Sequence, residues 1–300
     1  MIIFATPTNI SLLKQSDEWY MDGTFKTCPS LFYQLYSIHA KLSCGKSVAL
    51  VYALLPSESS LTYRTLLRRL ADALDGYSPR LIHVDFELAV ITELTRIFPN
   101  VNILGCSFHF NQSIYRRIQS ETELLLAYRN DLDFALKLRK FPALAYVPIR
   151  DVASGFNRLL SSPFVRQNED ILSEFINYFE SQWVGRSRNP PRFQIEWWNV
   201  FETTLEGVGR TNDHMEGWHS AFSGRVNCRN PSFHKLVEHL KAEQGLTEYV
   251  VTNVAARGGG SIPTKRKFLK RQKRLYEIVS RYGNGDLIAY LLDVAHSISF

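Results

Sequence analysis

The chain has 300 residues, 45% of them hydrophobic and 13% aromatic, which is enough apolar material for one large domain or two smaller ones and excludes a disordered chain. Its net charge of +6 and pI near 9.1 fit a nucleic acid or another acidic partner. Cys28, Cys44, Cys106 and Cys228 form no C-x-x-C pair, no apolar run reaches the ~18 residues of a membrane span, and no basic segment leads into a long apolar core. The reading is therefore an intracellular protein of a reducing compartment, with no secretory signal and no membrane partner.

Residues 1–15 carry no strong pattern and read as a lead-in. Glu18–Lys26 reads as a strand that ends in Asp22-Gly23, Leu31–Lys41 as a second, and the nearly all-apolar Ser47–Leu55 as a third, buried on both faces. Short links between them predict an antiparallel meander. The period then changes: Leu61, Leu66, Leu67, Leu70 and Leu74 mark a helix with Arg64, Arg68 and Arg69 outside. A strand over Arg80–Asp85, a helix over Leu88–Phe98 stopped by Pro99, a strand over Val101–Gly105 and a helix over Phe110–Ile118 follow. This order predicts an α/β fold, a mixed sheet flanked by helices.

Residues 120–205 show only helical periods broken by Pro142, Pro148, Pro163 and Asn189-Pro-Pro191, which predicts an all-helical insertion contributing no strand to the sheet. A helix is expected over Arg210–Arg225, with Thr211 or Asn212 as its start and Met215, Trp218 and Phe222 as its buried face. Another should run over Ser232–Gln244. The division expected is a lead-in at 1–15, a core at 16–119, the insertion at 120–205, the last core helices at 206–245, and a basic C-terminal tail at 246–300. A chain that opens almost on its first strong motif reads as a piece of a longer architecture.

Three acids stand out. Asp22 and Asp85 each follow an apolar strand, where polar residues of α/β sheets project into a ligand crevice. Glu216 sits beside the apolar face of its helix, with His219 three residues on. Neighbouring carboxylates repel unless a proton or cation neutralises them, and hard divalent ions take carboxylate oxygens. Asp22 also reads as a turn residue before Gly23, Asp85 as a cap of the next helix, and Glu216 as a cap or rim residue. Glu18 and Glu87 are helper ligands in this reading. Cys106 and His109 form a C-x-x-H pair, half of a zinc site that His214 and His219 could complete, or else a buried thiol and a hydrogen-bonded histidine. His109 could instead orient a phosphate or a catalytic carboxylate. Trp197 and Trp198 read as core anchors, with base stacking as the alternative. Lys265–Arg274 reads as a solvated helix face, a nuclear import signal or a phosphate contact.

Asp22-Gly-Thr-Phe25, Val84-Asp-Phe-Glu87, Cys106-Ser-Phe-His-Phe-Asn-Gln112, Trp198-Asn-Val-Phe201 and Arg210-Thr-Asn-Asp-His-Met-Glu-Gly-Trp-His219 occur in that order. Together they resemble the transposase domain of Mutator-like elements, related to bacterial insertion-sequence transposases of the DDE type, over most of residues 16–245. The resemblance implies an RNase H-like fold with a helical insertion before the last acid, and DNA transposition by two-metal phosphodiester chemistry. It carries the triad onto Asp22, Asp85 and Glu216, with Mg²⁺ or Mn²⁺ as cofactor and Zn²⁺ as a further candidate at Cys106 and His109. Asn212 and His219 would support the triad. The partners implied are element terminal repeats and target DNA, bound by an oligomer in the nucleus. The alternative is a domesticated descendant that binds DNA or chromatin without cutting. This chain has Thr211-Asn-Asp213 where the family more often has Thr-Asn-Asn, and it shows no N-terminal zinc-binding cysteine–histidine array. DNA contacts are expected from Arg116, Arg117, Arg210 and Arg225, with the three acids converging in one crevice.

Overall fold

The computed structural model describes residues 1–186, 188–207, 213–256 and 266–298. In chain order the first elements are β1 (Ile2–Phe4), α1 (Pro7–Leu13), β2 (Glu18–Thr24), β3 (Gln34–Lys41), β4 (Ser47–Leu55), α2 (Ser60–Leu74), β5 (Leu81–Val84), α3 (Leu88–Ile97) and β6 (Asn102–Gly105). Then come α4 (Ser107–Gln119), α5 (Thr122–Asn130), α6 (Leu132–Leu138), α7 (Lys140–Ala143), α8 (Val152–Leu160), α9 (Pro163–Gln167), α10 (Glu169–Phe179), α11 (Ile195–Trp198) and α12 (Phe201–Leu205). The chain closes with α13 (Asp213–Val226), α14 (Phe233–Ala256), α15 (Arg266–Val279) and α16 (Leu287–Ala295).

These elements form two compact units. One comprises residues 1–103 and 212–263, the other 104–211 and 264–300. The six strands lie in the order β1-β4-β3-β2-β5-β6. β2, β3 and β4 are antiparallel, as short links between apolar strands require, and β5 returns parallel to β2 after the α2 crossover. The result is a mixed α/β sheet with flanking helices, as the element order predicts.

Alternation along the strands sorts the sheet into two faces. On one, Tyr36 meets Tyr63 of α2. On the other, Leu35, Ala49, Tyr52 and Leu54 pack against Phe222 and Val226 of α13 and Leu236 and Leu240 of α14. The predicted apolar face of α13 is confirmed, with Met215 and Phe222 fully buried and Trp218 packed on this cluster. Ser232 Oγ accepts from the Lys235 N–H, so it starts α14 as its residue type predicts, although that helix runs on to Ala256.

Two departures have local causes. Residues 1–15 hold a strand and a helix: Ile2–Phe4 pairs with Tyr52–Leu54, and Thr6 caps α1 ahead of Pro7. A three-residue strand whose partner lies some fifty residues on leaves no period to read. β2 runs past Asp22 to Thr24 because Gly23 pairs with Tyr36, so its glycine does not end the strand. A β-carbon at Gly23 would lie 2.0 Å from Gln34 Oε1, so any larger residue there must displace the Gln34 side chain.

Residues 122–205 of the second unit fold as short helices, and among the described residues none joins the sheet; the strand-like pairing there is one bridge, Arg186 with Asn189. Its core is aromatic: Phe141 packs edge-on to Phe156, Phe175 and Phe179, and Trp198 stacks on Phe110 at 5.2 Å while donating Nε1–H to the Trp183 carbonyl. Trp198 is thus the core anchor expected of it, and Trp197 is half-buried. Residues 266–298 join this unit as α15 and α16, with Leu275, Val279, Leu291 and Val294 buried.

Candidate active site

β2 and β5 pair in parallel with Glu18 opposite Leu81 and Tyr20 opposite His83. Continued two residues, that register leads to Asp22 and Asp85, and Asp22 lies on the face that α13 covers. Neighbouring strands lie about 4.8 Å apart, so the two carboxylates share one end of the sheet. Asp85 directly follows Val84, the last residue of β5. It does not cap the next helix, because the N-cap of α3 is Glu87.

Asp22 is gripped at both oxygens. Oδ1 accepts the Gly23 N–H at 2.7 Å, and Oδ2 lies 3.1 Å from His219 Nε2 of α13, without the alignment of a hydrogen bond. Glu216 is exposed one helical turn before His219. Arg210, Thr211 and Asn212, together with the Asp213 side chain, lie outside the described residues.

Glu87 joins this end of the sheet. Its Oε2 accepts from the Tyr63 hydroxyl at 2.8 Å, and Tyr63 in turn accepts from Gln34 Nε2 at 2.7 Å. Its Oε1 is buried with no hydrogen-bond partner among the described residues. Burial, then the charges of Glu58 and Asp85, push the Glu87 carboxyl up to about 7 against the Tyr63 hydrogen bond. The buried Tyr36 phenol is raised well above its ordinary range by burial, with Glu87, Asp22 and Asp85 adding to it. One ring therefore senses all three acids. The sequence signal for this relay was weak: a tyrosine on the apolar face of α2 and a glutamine opening β3.

Four residues down β2 stands a different carboxylate. Glu18 accepts from Tyr20 Oη at 2.6 Å, Lys41 Nζ at 2.6 Å and His83 Nε2 at 2.9 Å, so it joins β3, β2 and β5. Burial works to raise it, but the hydrogen bonds from His83, Lys41 and Tyr20 prevail and hold it at about 2. Burial keeps His83 below its usual range, so it reaches Glu18 as a neutral donor. Glu18 thus already accepts from three donors of the protein. His83 stacks on Tyr20 at 4.4 Å, and His214 stands edge-on to the same ring at 4.1 Å. Burial, then His83, lower His214 to about 4 and keep it neutral. His39 completes this buried row against Trp218.

Cys106 is the buried N-cap of α4, with its Sγ and a His109 ring nitrogen within 4.8 Å of one another, a compact pair of metal-ligand types. His214 and His219, the expected other half of a zinc site, are engaged by Tyr20 and Asp22. Of the candidate DNA contacts, Arg225 is paired with Glu243, whose other oxygen accepts from Trp218 Nε1 at 2.8 Å. Arg117 lies between Glu121 at 2.9 Å and Glu174 at 3.2 Å. Arg116 is exposed.

Residues 18–113 match the family model of the MULE transposase domain. That stretch holds both aspartates, Glu87, Cys106 and His109, and ends before α13. No curated protein matches the chain.

Proposed function

From the MULE transposase domain carried at residues 18–113, we propose a metal-dependent transposase that acts in the nucleus, cuts DNA at the terminal repeats of a mobile element and joins the freed ends to target DNA. The observation that carries this reading is the parallel pairing of β2 with β5, whose register, carried two residues past Tyr20 and His83, leads to Asp22 on one strand and to Asp85 after the other. A meander extended by crossover strands supports the RNase H-like reading of the sheet.

Asp22, Asp85 and Glu216 are the three acids of this proposal. The site suits a hard divalent cation: Glu87 keeps a buried Oε1 without a hydrogen-bond partner among the described residues, and its carboxyl rises in the field of Glu58 and Asp85. Mg²⁺ or Mn²⁺, when bound, supplies Lewis-acid charge at the scissile phosphate and acidifies the attacking water. The protein's part is positioning. The strands fix the two aspartates, and the Gly23 N–H orients Asp22. His219 lies against Asp22, and Glu216, one helical turn before it on α13, is the third acid this reading assigns to the site. Water attacks the phosphodiester at the element end, and the resulting 3′-hydroxyl attacks target DNA, with no covalent protein–DNA intermediate.

The test is a strand-transfer assay with Mg²⁺ or Mn²⁺ on duplexes carrying the element ends, run beside Asp85→Asn. Cutting and joining by the parent alone supports the proposal. Equal product from Asp85→Asn refutes it. Binding of the ends with no metal-dependent cutting by either protein would assign the chain to the non-cutting descendants.

A further inference from the structure

The positive charge of this chain resides in one segment. Lys265–Arg281 contains eight lysines and arginines and one acid, Glu277, a net +7; the chain as a whole is +6, so the remaining residues sum to −1. No acidic residue interrupts the run from Lys265 to Tyr276.

From Leu269 onward the structure makes this run a fixed surface. Within the second unit, α15 packs on α12 and α16 through buried Leu275 and Val279, and Arg271 Nε donates to the Ser297 carbonyl at 3.1 Å. Lys270, Lys273 and Arg274 are exposed at three- and four-residue spacing, so they form one stripe, and the exposed Arg281 follows the helix end. Several cations elsewhere in the unit face carboxylates: Arg117 meets Glu121 and Glu174, Lys137 meets Asp133, Arg158 meets Asp286, and Arg186 meets Glu180. On the stripe only Lys273 has such a neighbour, Glu277 at 4.0 Å. Among the described residues no carboxylate neutralises Lys270 or Arg274.

We infer that the Lys270–Lys273–Arg274 face of α15, continued by Arg281, is a phosphate-tracking surface for duplex DNA. The stripe spans about 6 Å of helix axis from Lys270 to Arg274, and a duplex presents one negative charge per ~1.7 Å of its own axis. Each cation therefore finds a phosphate without reading a base, and binding along this face is independent of sequence. A nuclear import receptor is the other partner that a lysine- and arginine-rich run suggests. It would have to take up a helix whose opposite side is already packed into the unit.

This inference rests on DNA as the substrate, not on the three acids. The experiment measures binding of the full chain to a random-sequence duplex between about 50 and 200 mM salt. The parent is compared with Lys270→Ala/Lys273→Ala/Arg274→Ala, with Lys270→Arg/Lys273→Arg, and with Asp85→Asn. The three replaced side chains are exposed, and matching melting curves show that the fold is kept. The triple variant should bind at least tenfold more weakly and lose about 2 to 3 from the slope of log affinity against log salt. The arginine variant should keep the parent slope, and Asp85→Asn reports separately on cutting. A triple variant with the parent slope overturns the inference. If that variant also loses binding to an import receptor, the face serves transport instead. Failure of Asp85→Asn to block cutting would refute the catalytic proposal and leave this result standing.

Discussion

Glu18 and Glu87 serve the same sheet and end up opposite in character. Glu18 is surrounded by a lysine, a histidine N–H and a phenol, and is held at about 2. Glu87 has a hydroxyl on one oxygen and no partner among the described residues on the other, and rises to about 7. Burial pushes both upward; they differ in their donors and in the acids, Glu58 and Asp85, that crowd Glu87 alone. A carboxylate satisfied by the protein is architecture, and here it clamps β3, β2 and β5 four residues before Asp22. A carboxylate that the protein crowds with other acids and leaves short of donors has its charge to be balanced by something bound.

The widest test of this contrast is removal of the Glu18 charge. Glu18→Gln leaves Lys41 and His83 facing a neutral amide and should cost up to about 3 kcal/mol at pH 7; urea unfolding measures it, and an unchanged midpoint would mean that the clamp carries no stability. Asp22→Asn and Asp85→Asn should instead keep or raise the melting temperature of the metal-free protein while abolishing its rise with Mn²⁺. Thermal melts with and without the ion separate these outcomes. Acid sharpens the comparison. Because Glu18 is depressed in the folded state, its contribution is complete above an unfolded value near 4.5 and is lost as pH falls from there toward 2. Glu87 is raised, so its cost appears as pH climbs from about 4.5 to 7. In chelator, Glu87→Gln should therefore stabilise by on the order of 1 kcal/mol at pH 8 and by nothing at pH 4. The smallest effect is expected from Tyr63→Phe, which removes the donor that lowers Glu87. Carbon-detected titration should find that carboxyl above its parent value.

The regular part of the fold was legible because periodicity reports burial. Ser47–Leu55 read as a strand buried on both faces and is one, and Leu66, Leu67, Leu70 and Leu74 announced the buried side of α2, although Leu61 is exposed. Asp85 was legible as an acid after a strand because polar residues after apolar runs are conspicuous, whereas Asp22 lies inside β2, two residues before its end. What pairing alone decides was not legible. That Glu18 belongs to a clamp depends on Lys41 and His83 being its neighbours, and those residues lie 23 and 65 positions away. Gly23 read as a stop, although its meaning is steric and lies in Gln34 of the next strand. Arg225 read as a phosphate contact because its type is cationic; that Glu243 faces it becomes visible only when α14 is laid beside α13.

The first unit is written in two instalments. Asn9 of α1 and Gln244 of α14 exchange amide hydrogen bonds at 2.8 and 3.0 Å across 235 positions, and Asn9 also donates to the Leu50 carbonyl. Between the instalments the ribosome must make residues 104–211. The sheet and both aspartates therefore leave the ribosome long before α13, which carries Glu216, and before α14, which covers Leu35, Tyr52 and Leu54. A nascent chain halted anywhere in that interval has two of the three acids and an uncovered apolar sheet face. Contacts of such long range also form slowly. Under the proposed chemistry, a truncated product is aggregation-prone and cannot cut, so the chain stays inert until α13 and α14 have been made and have packed on the sheet.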